Sequence, residues 1–251
     1  MLRWILVLLL TALPLQAEEV VAGLSQQRIA ITTNFDGSEI LVFGAVKREK
    51  PLPDAGPLEV IVAVSGPSQP LTVYRKDRRW GIWVNTASVD VDAAPSFYAV
   101  ATSGPLEDVL SNTEDLRHKV SIPQAIRAVG ASSDGANSAD FVEAVIRVRT
   151  DNGLYSVREG TVEVSDQTLF NTSVALPANL TEGAYRARIL LTRDRQVLDI
   201  YETAIDVQKV GLERWLYTLA HEAPLQYGLL SLFIAISAGW GASAFFRWLR
   251  G

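Results

Sequence analysis

From residue 28 onward the chain alternates apolar and polar positions in short runs parted by turn residues, the period-two signature of half-buried strands. Ile29 and Ile31 open the pattern, Asn34-Phe35-Asp36-Gly37-Ser38 reads as a turn, and Ile40, Val42 and Val46 resume it. Runs at 58–64, 71–75, 82–85 and 97–102 follow, punctuated by Gly66-Pro67 and Ala94-Pro95. Six or seven strands in about 80 residues predict an immunoglobulin-like antiparallel β-sandwich over 18–104.

The period changes at Pro105. Leu106, Val109, Leu110, Leu116 and Val120 recur at helical spacing, with Ser111 and Thr113 as candidate caps, so two short helices are expected. Phe141, Val145 and Val148 predict a further helix over 138–150, although the Asp151-Asn152-Gly153 turn after it would also suit a hairpin. This helical connector spans 105–155. Strand periodicity returns at Thr161 and continues through 169–176, 185–192 and 197–207, with turns at 177–183 and Arg193-Asp194-Arg195-Gln196. These strands make a second β lobe, 156–210. Four strands bury little by themselves, and whether the lobe has its own core or shares that of the first stretch is open. The fold class is mainly β.

The two ends set the expected topology. Met1-Leu2-Arg3, an apolar run from Trp4 to Leu13 and a small residue, Ala17, before Glu18-Glu19 have the parts of a secretory signal over 1–17. Residues 225–246 carry no charge and are long enough to cross about 30 Å of hydrocarbon, so 224–246 is expected to span the membrane. Arg247 and Arg250 in the tail, 247–251, place it on the cytoplasmic side by the rule that positive flanks stay inside. Just before the span, 211–223 sets Leu212, Trp215, Leu216 and Leu219 on one helical face, which suits either the bilayer surface or packing on the ectodomain, and Pro224 separates it from the span. Trp215, Tyr217 and Tyr227 on one side and Trp240 and Trp248 toward the other match the two interfacial aromatic belts.

Composition narrows the chemistry. A net charge of -5 leaves no basic surplus for nucleic acid, and zero cysteines exclude disulfides, thiolate metal sites and a cysteine nucleophile. The two histidines, His118 and His221, are far apart in sequence. No nucleophile-elbow, phosphate-loop, dinucleotide-binding or H-E-x-x-H pattern occurs, so neither an enzyme nor a cofactor is expected.

Four features carry candidate chemistry. Arg75, Lys76, Arg78 and Arg79 surround Asp77 at a hairpin tip, with Trp80 and Trp83 beside them, a grouping suited to an oxyanion such as sulfite, sulfate or a lipid headgroup. Ser231, Ala235, Ala238, Gly239, Gly241 and Ala242, with Ser243, make the span a surface for close helix packing, either with a multi-pass membrane protein such as a transporter or with a second copy. Glu114, Asp115 and His118 lie within one helical turn but offer too few ligands for a metal, and a helix-stabilising charge pair is the expectation. Asp134, Asn137 and Asp140 lack the ligand spacing of a calcium loop.

The phrases FDGSEILVFGAV, GIWVN, PSFYAV, LFNTSVALPANLTEGAY and VGLERWLYTLAHEAPLQYG resemble the "putative transmembrane protein" family of alphaproteobacteria over nearly the whole mature chain. The family has no assigned activity and supplies no catalytic residues. The resemblance implies a bacterial inner-membrane protein with a periplasmic ectodomain, encoded beside sulfite exporter-like transporters.

Overall fold

The computed structural model describes residues 18–32, 35–48, 56–128 and 138–250. The expected signal sequence, Asn34 of the first turn, Asp134 and Asn137 of the acidic loop and the final residue of the tail lie outside the described residues. The described residues form two compact units, one running to Ile29 and then over Asp36–Val207, the other made by the remainder.

In the first unit the strands are β1 (Glu19–Leu24), β2 (Arg28–Ile31), β3 (Ser38–Lys47), β4 (Glu59–Ser65), β5 (Ser68–Arg79), β6 (Ile82–Pro95), β7 (Tyr98–Thr102), β8 (Tyr155–Arg158), β9 (Glu163–Ser165), β10 (Leu169–Leu176), β11 (Gly183–Arg193) and β12 (Gln196–Lys209), the second strand running on past the unit's edge at Ile29 and the last past Val207. Between β7 and β8 lie α1 (Leu106–Val109), α2 (Asn112–His118), α3 (Ile122–Ala125) and α4 (Ser138–Asp151), so the helical reading of 138–150 holds over its hairpin alternative. One sheet has the order β1-β3-β10-β9, another β2-β12-β11-β4-β7-β8, and β5 pairs with β6 alone. The fold is mainly β, as its patterning predicts.

Strand pairing answers the question of the shared core. Val42 of β3 lies opposite Thr172 of β10, and Val62 of β4 opposite Ile189 of β11, so strands from before and after the helices are woven into the same sheets. β7 and β8 run parallel, with Tyr98 opposite Tyr155, which departs from the purely antiparallel immunoglobulin-like sandwich expected. A parallel pair needs a crossover connection, and the four helices supply it, covering one face of the larger sheet.

The central strands of that sheet, β11, β4 and β7, are buried on both sides. Ile61 and Ala63 of β4, Tyr98 and Val100 of β7 and Leu190 of β11 pack with Val109, Leu110, Val120, Ile122 and Val145 from the helical crossover. Their sequence neighbours Val60, Val62, Val64, Ile189 and Leu191 point the opposite way and are equally buried, while the smaller sheet buries Ile40, Val42, Phe170 and Val174. Strands covered on both faces read as unbroken apolar runs rather than alternating ones, as Val60-Ile61-Val62-Ala63-Val64 does.

Polar side chains fix the helices to the sheet. Ser111 caps α2 by accepting from the Glu114 amide, and the Asp115 carboxylate accepts from the Val120 and Ser121 amides beyond the helix end. Arg188 of β11 donates to the carbonyls of His118 and Lys119, and the Tyr98 hydroxyl donates to Val120 O at 2.9 Å. Tyr155 donates to Pro95 O at 2.7 Å, and burial pushes its phenol up to about 12.

The start of β1 is held by charge. The Glu18 carboxylate accepts a hydrogen bond from Arg193 at 3.1 Å and another from Arg48, whose other nitrogen donates to Gln167 O, and a second Arg193 nitrogen lies 2.9 Å from Glu18 Oε2 as an ion-pair contact. Burial raises the Glu18 pKa, but the two arginines outweigh it and the net value lies below the ordinary 4.5. A depressed carboxylate stabilises fully above its unfolded pKa and loses that stabilisation as pH falls through the folded one. Arg193→Met should therefore destabilise the chain by about 2 kcal/mol near neutrality, less than a wholly broken buried pair because Arg48 remains. In thermal melts of the detergent-solubilised chain, the parent should lose stability relative to this variant below pH 4.5, and parallel pH curves would contradict the clamp. Gly44→Ala should also destabilise by about 1–3 kcal/mol, because its Cβ would fall 2.5 Å from the Phe170 ring and 2.6 Å from the Val21 carbonyl.

Candidate functional site

β5 and β6 form an arm whose base belongs to the core and whose tip does not. Opposed residues share a face, so Leu71 with Val91, Val73 with Val89 and Arg75 with Ala87 lie on one side. Val89, Ala87 and Phe141 of α4 form a small apolar cluster with Val73 against it. The register shifts between Arg75 and Lys76, and from there outward every residue to Asn85 is exposed except half-buried Val84. Four residue pairs at about 3.4 Å rise carry this tip roughly 14 Å.

The turn at its end is Trp80-Gly81, with φ of 53° and 86°. A two-residue hairpin turn with both φ positive favours Asn-Gly, and a bulky residue there is an outlier. Trp80 is nonetheless fully exposed at 102%, followed by Ile82 at 65% and Trp83 at 68%. Arg79 stands opposite Ile82 and Arg78 opposite Trp83, on alternate faces, with Lys76 opposite Asn85 on the Arg78 side.

The four cations singled out from sequence are thus not gathered round one point. Arg75 lies on the face of the core, its guanidinium 6.0 Å from the Phe141 ring centroid. Lys76 and Arg78 share one face of the tip and Arg79 takes the other. Asp77 accepts from the Arg78 backbone amide at 2.7 Å. What sequence reading missed is the length of the arm, since β6 was read only as 82–85; its clue was the alternation of Ala87, Val89 and Val91 with Ser88 and Asp90.

In the second unit α5 (Leu212–Glu222) and α6 (Pro224–Arg250) meet at Ala223, and proline at the first position of α6 gives up only an amide that has no partner in the helix. Pro224–Phe245 is long and apolar enough to cross a bilayer, and none of its most apolar window is buried within the protein. Ser231, Ala235, Ala238 and Ala242 follow one stripe, and Gly239 and Gly241 flank it; all are exposed. Ser231 Oγ donates to Gly228 O at 3.0 Å.

The remaining candidates have structural partners. Glu114 is buried and shared between Arg117 at 2.6 Å and His118 at 3.2 Å. Asp115 is engaged by the turn after α2, and Asp140 lies in the first turn of α4, where a negative charge suits the helix N-terminus. Among the described residues no three His, Asp or Glu side chains gather as a metal site would require. Sequence reading also passed over β1, which with β3 and β10 exposes Val21, Phe43 and Leu169 along an open groove of 610 Å³.

No curated protein and no solved structure matches the chain. A family model does: the one described as "Putative transmembrane protein (Alph_Pro_TM)" aligns with residues 19–248, from the first residue of β1 to the end of the apolar helix. With that match running through both units, the chain belongs to this transmembrane protein family.

Proposed function

We propose that the protein is a non-enzymatic, single-pass inner-membrane protein that holds its β-rich body in the periplasm and serves as an accessory partner of another membrane protein, a transporter being the leading candidate. The observation that carries this reading is the exposed stripe of small residues, Ser231, Ala235, Ala238 and Ala242, along the span, and the arm tip adds that the body too is built for contact. Lys76 to Asn85 buries almost nothing in the fold, yet it holds two tryptophans and an isoleucine in the open. Apolar groups that add nothing to a core serve contact with something else.

The orientation follows from Arg247 and Arg250 after the span and from the secretory pattern at 1–17. The small-residue stripe of α6 gives a neighbouring helix room to approach, and van der Waals packing of that kind drives association in lipid. A pocket for one small anion is the weaker reading, because Lys76 and Arg78 lie on the face opposite Arg79, and Arg75, on Arg79's face, lies nearer the core beside Phe141.

Purification in mild detergent tests the proposal, comparing the native chain with one whose residues 225–246 are replaced by an unrelated apolar span. A multi-pass membrane protein should accompany the native chain and be lost from the replacement. Ala238→Leu with Gly241→Leu should abolish the same association. Equal recovery from native and replaced spans would refute the accessory role.

A further inference from the structure

We propose that the tip of the β5–β6 arm docks end-on onto an anionic lipid surface, with Trp80, Ile82 and Trp83 entering the headgroup layer and Lys76, Arg78 and Arg79 pairing with lipid phosphates. This rests on the reading of the chain as a binding protein and names what the arm itself binds.

The distribution of residues around the tip selects the occupant. Arg79 and Ile82 form the outermost rung and face one way, and Arg78 and Trp83 form the next and face the other, so each face of the tip carries both a cation and an apolar side chain. A protein groove would engage one face of a hairpin and leave the other wet. A planar surface perpendicular to the arm engages both faces, first the Trp80-Gly81 turn, then the Arg79–Ile82 and Arg78–Trp83 rungs. Trp80 leads at the turn, and the rungs behind it set Arg79 beside Ile82 and Arg78 beside Trp83, a mixture that suits a bilayer boundary, where aromatic rings favour the interface and long cationic side chains reach the phosphates.

Charge agrees with that surface. Within residues 75–79 four cations stand against the single carboxylate of Asp77, in a chain whose net charge is -5. A free oxyanion would need those cations to converge, and Arg75 turns instead to Phe141. Trp80 supplies an independent sign. Its φ of 53° at full exposure is a conformation that Asn would adopt with less strain, so the indole is kept against the preference of the turn.

The absence of cysteine makes the test direct, because Ile82→Cys gives a unique attachment point for a nitroxide. The full chain is reconstituted in phosphatidylcholine vesicles with and without about one-third phosphatidylglycerol, a content that gives the surface a negative potential. A second set of label-free anionic vesicles is added to capture an arm pointing away from its own bilayer. The label should become shielded from a water-soluble nickel chelate only where anionic lipid is present, in the same bilayer or in the added vesicles. Each basic residue near such a surface contributes about 1 kcal/mol, so Arg78→Ala with Arg79→Ala should weaken capture of the added vesicles about 30-fold. Trp80→Asn should keep the hairpin folded, by unchanged near-neighbour amide shifts at Lys76 and Asn85, and still reduce shielding. Equal accessibility in all lipids without vesicle capture, or binding to phosphatidylcholine as strong as to anionic vesicles, would overturn the proposal. No protein partner is present in this assay, so its failure leaves the span-dependent association standing, and failure of that association leaves the lipid result standing.

Discussion

Burial of the central strands of the six-stranded sheet on both faces is the constraint on which the rest of the molecule depends. β4, β7 and β11 put one set of apolar side chains toward the helices and the alternate set toward the opposite layer, where Ile40, Val42, Phe170 and Val174 are buried. Neither cover could come from one half of the chain alone. The smaller sheet needs β3 and β10 together, and the helices are the crossover that a parallel β7–β8 pair requires. The buried ends are then closed by side chains matched to specific backbone groups: Arg188 and Tyr98 at the end of α2, Tyr155 at Pro95, and Glu18 between Arg48 and Arg193.

The arm obeys this constraint for half of its length and then leaves it. Val73, Ala87 and Val89 meet Phe141, and beyond the register shift at Lys76 the same two strands continue without a partner layer. An isolated two-stranded ribbon has little stability of its own, so the tip is held by its base and by its turn. Choosing Trp at that turn weakens the local preference for the hairpin while adding an exposed aromatic surface. Local rules tend to be broken where a site acts on something outside the fold. The exposed indole and the basic residues behind it are accordingly read as the working end of a membrane-anchored protein.

Much of this was legible in the sequence. Ile40, Val42 and Val46, the helical spacing of Phe141 and Val145, the Pro224 break and the charge-free stretch after it all announced their elements correctly. What stayed hidden was non-local. Val60 to Val64 reads as a strand, but periodicity cannot say that its two neighbours are β11 and β7, which lie on opposite sides of the helical connector. β8 is four residues long and Tyr155 is its one buried position, too little for a pattern. At the arm, the basic cluster and the tryptophans were visible as types. Their arrangement was not, because the cations alternate between the two faces of β5 and only the packing of α4 on the base of the arm sets Arg75 beside Phe141 while the others stand clear of the fold.

On this reading the arm tip is free of the fold and reserved for a lipid surface. Hydrogen exchange on the full chain, compared in neutral and in anionic bilayers, addresses both halves at once. Amides from Lys76 to Asn85 should exchange rapidly in phosphatidylcholine and slow markedly when phosphatidylglycerol is included, while β4 and β11 remain equally protected in both. Unchanged exchange at the tip across the two lipids would contradict the account.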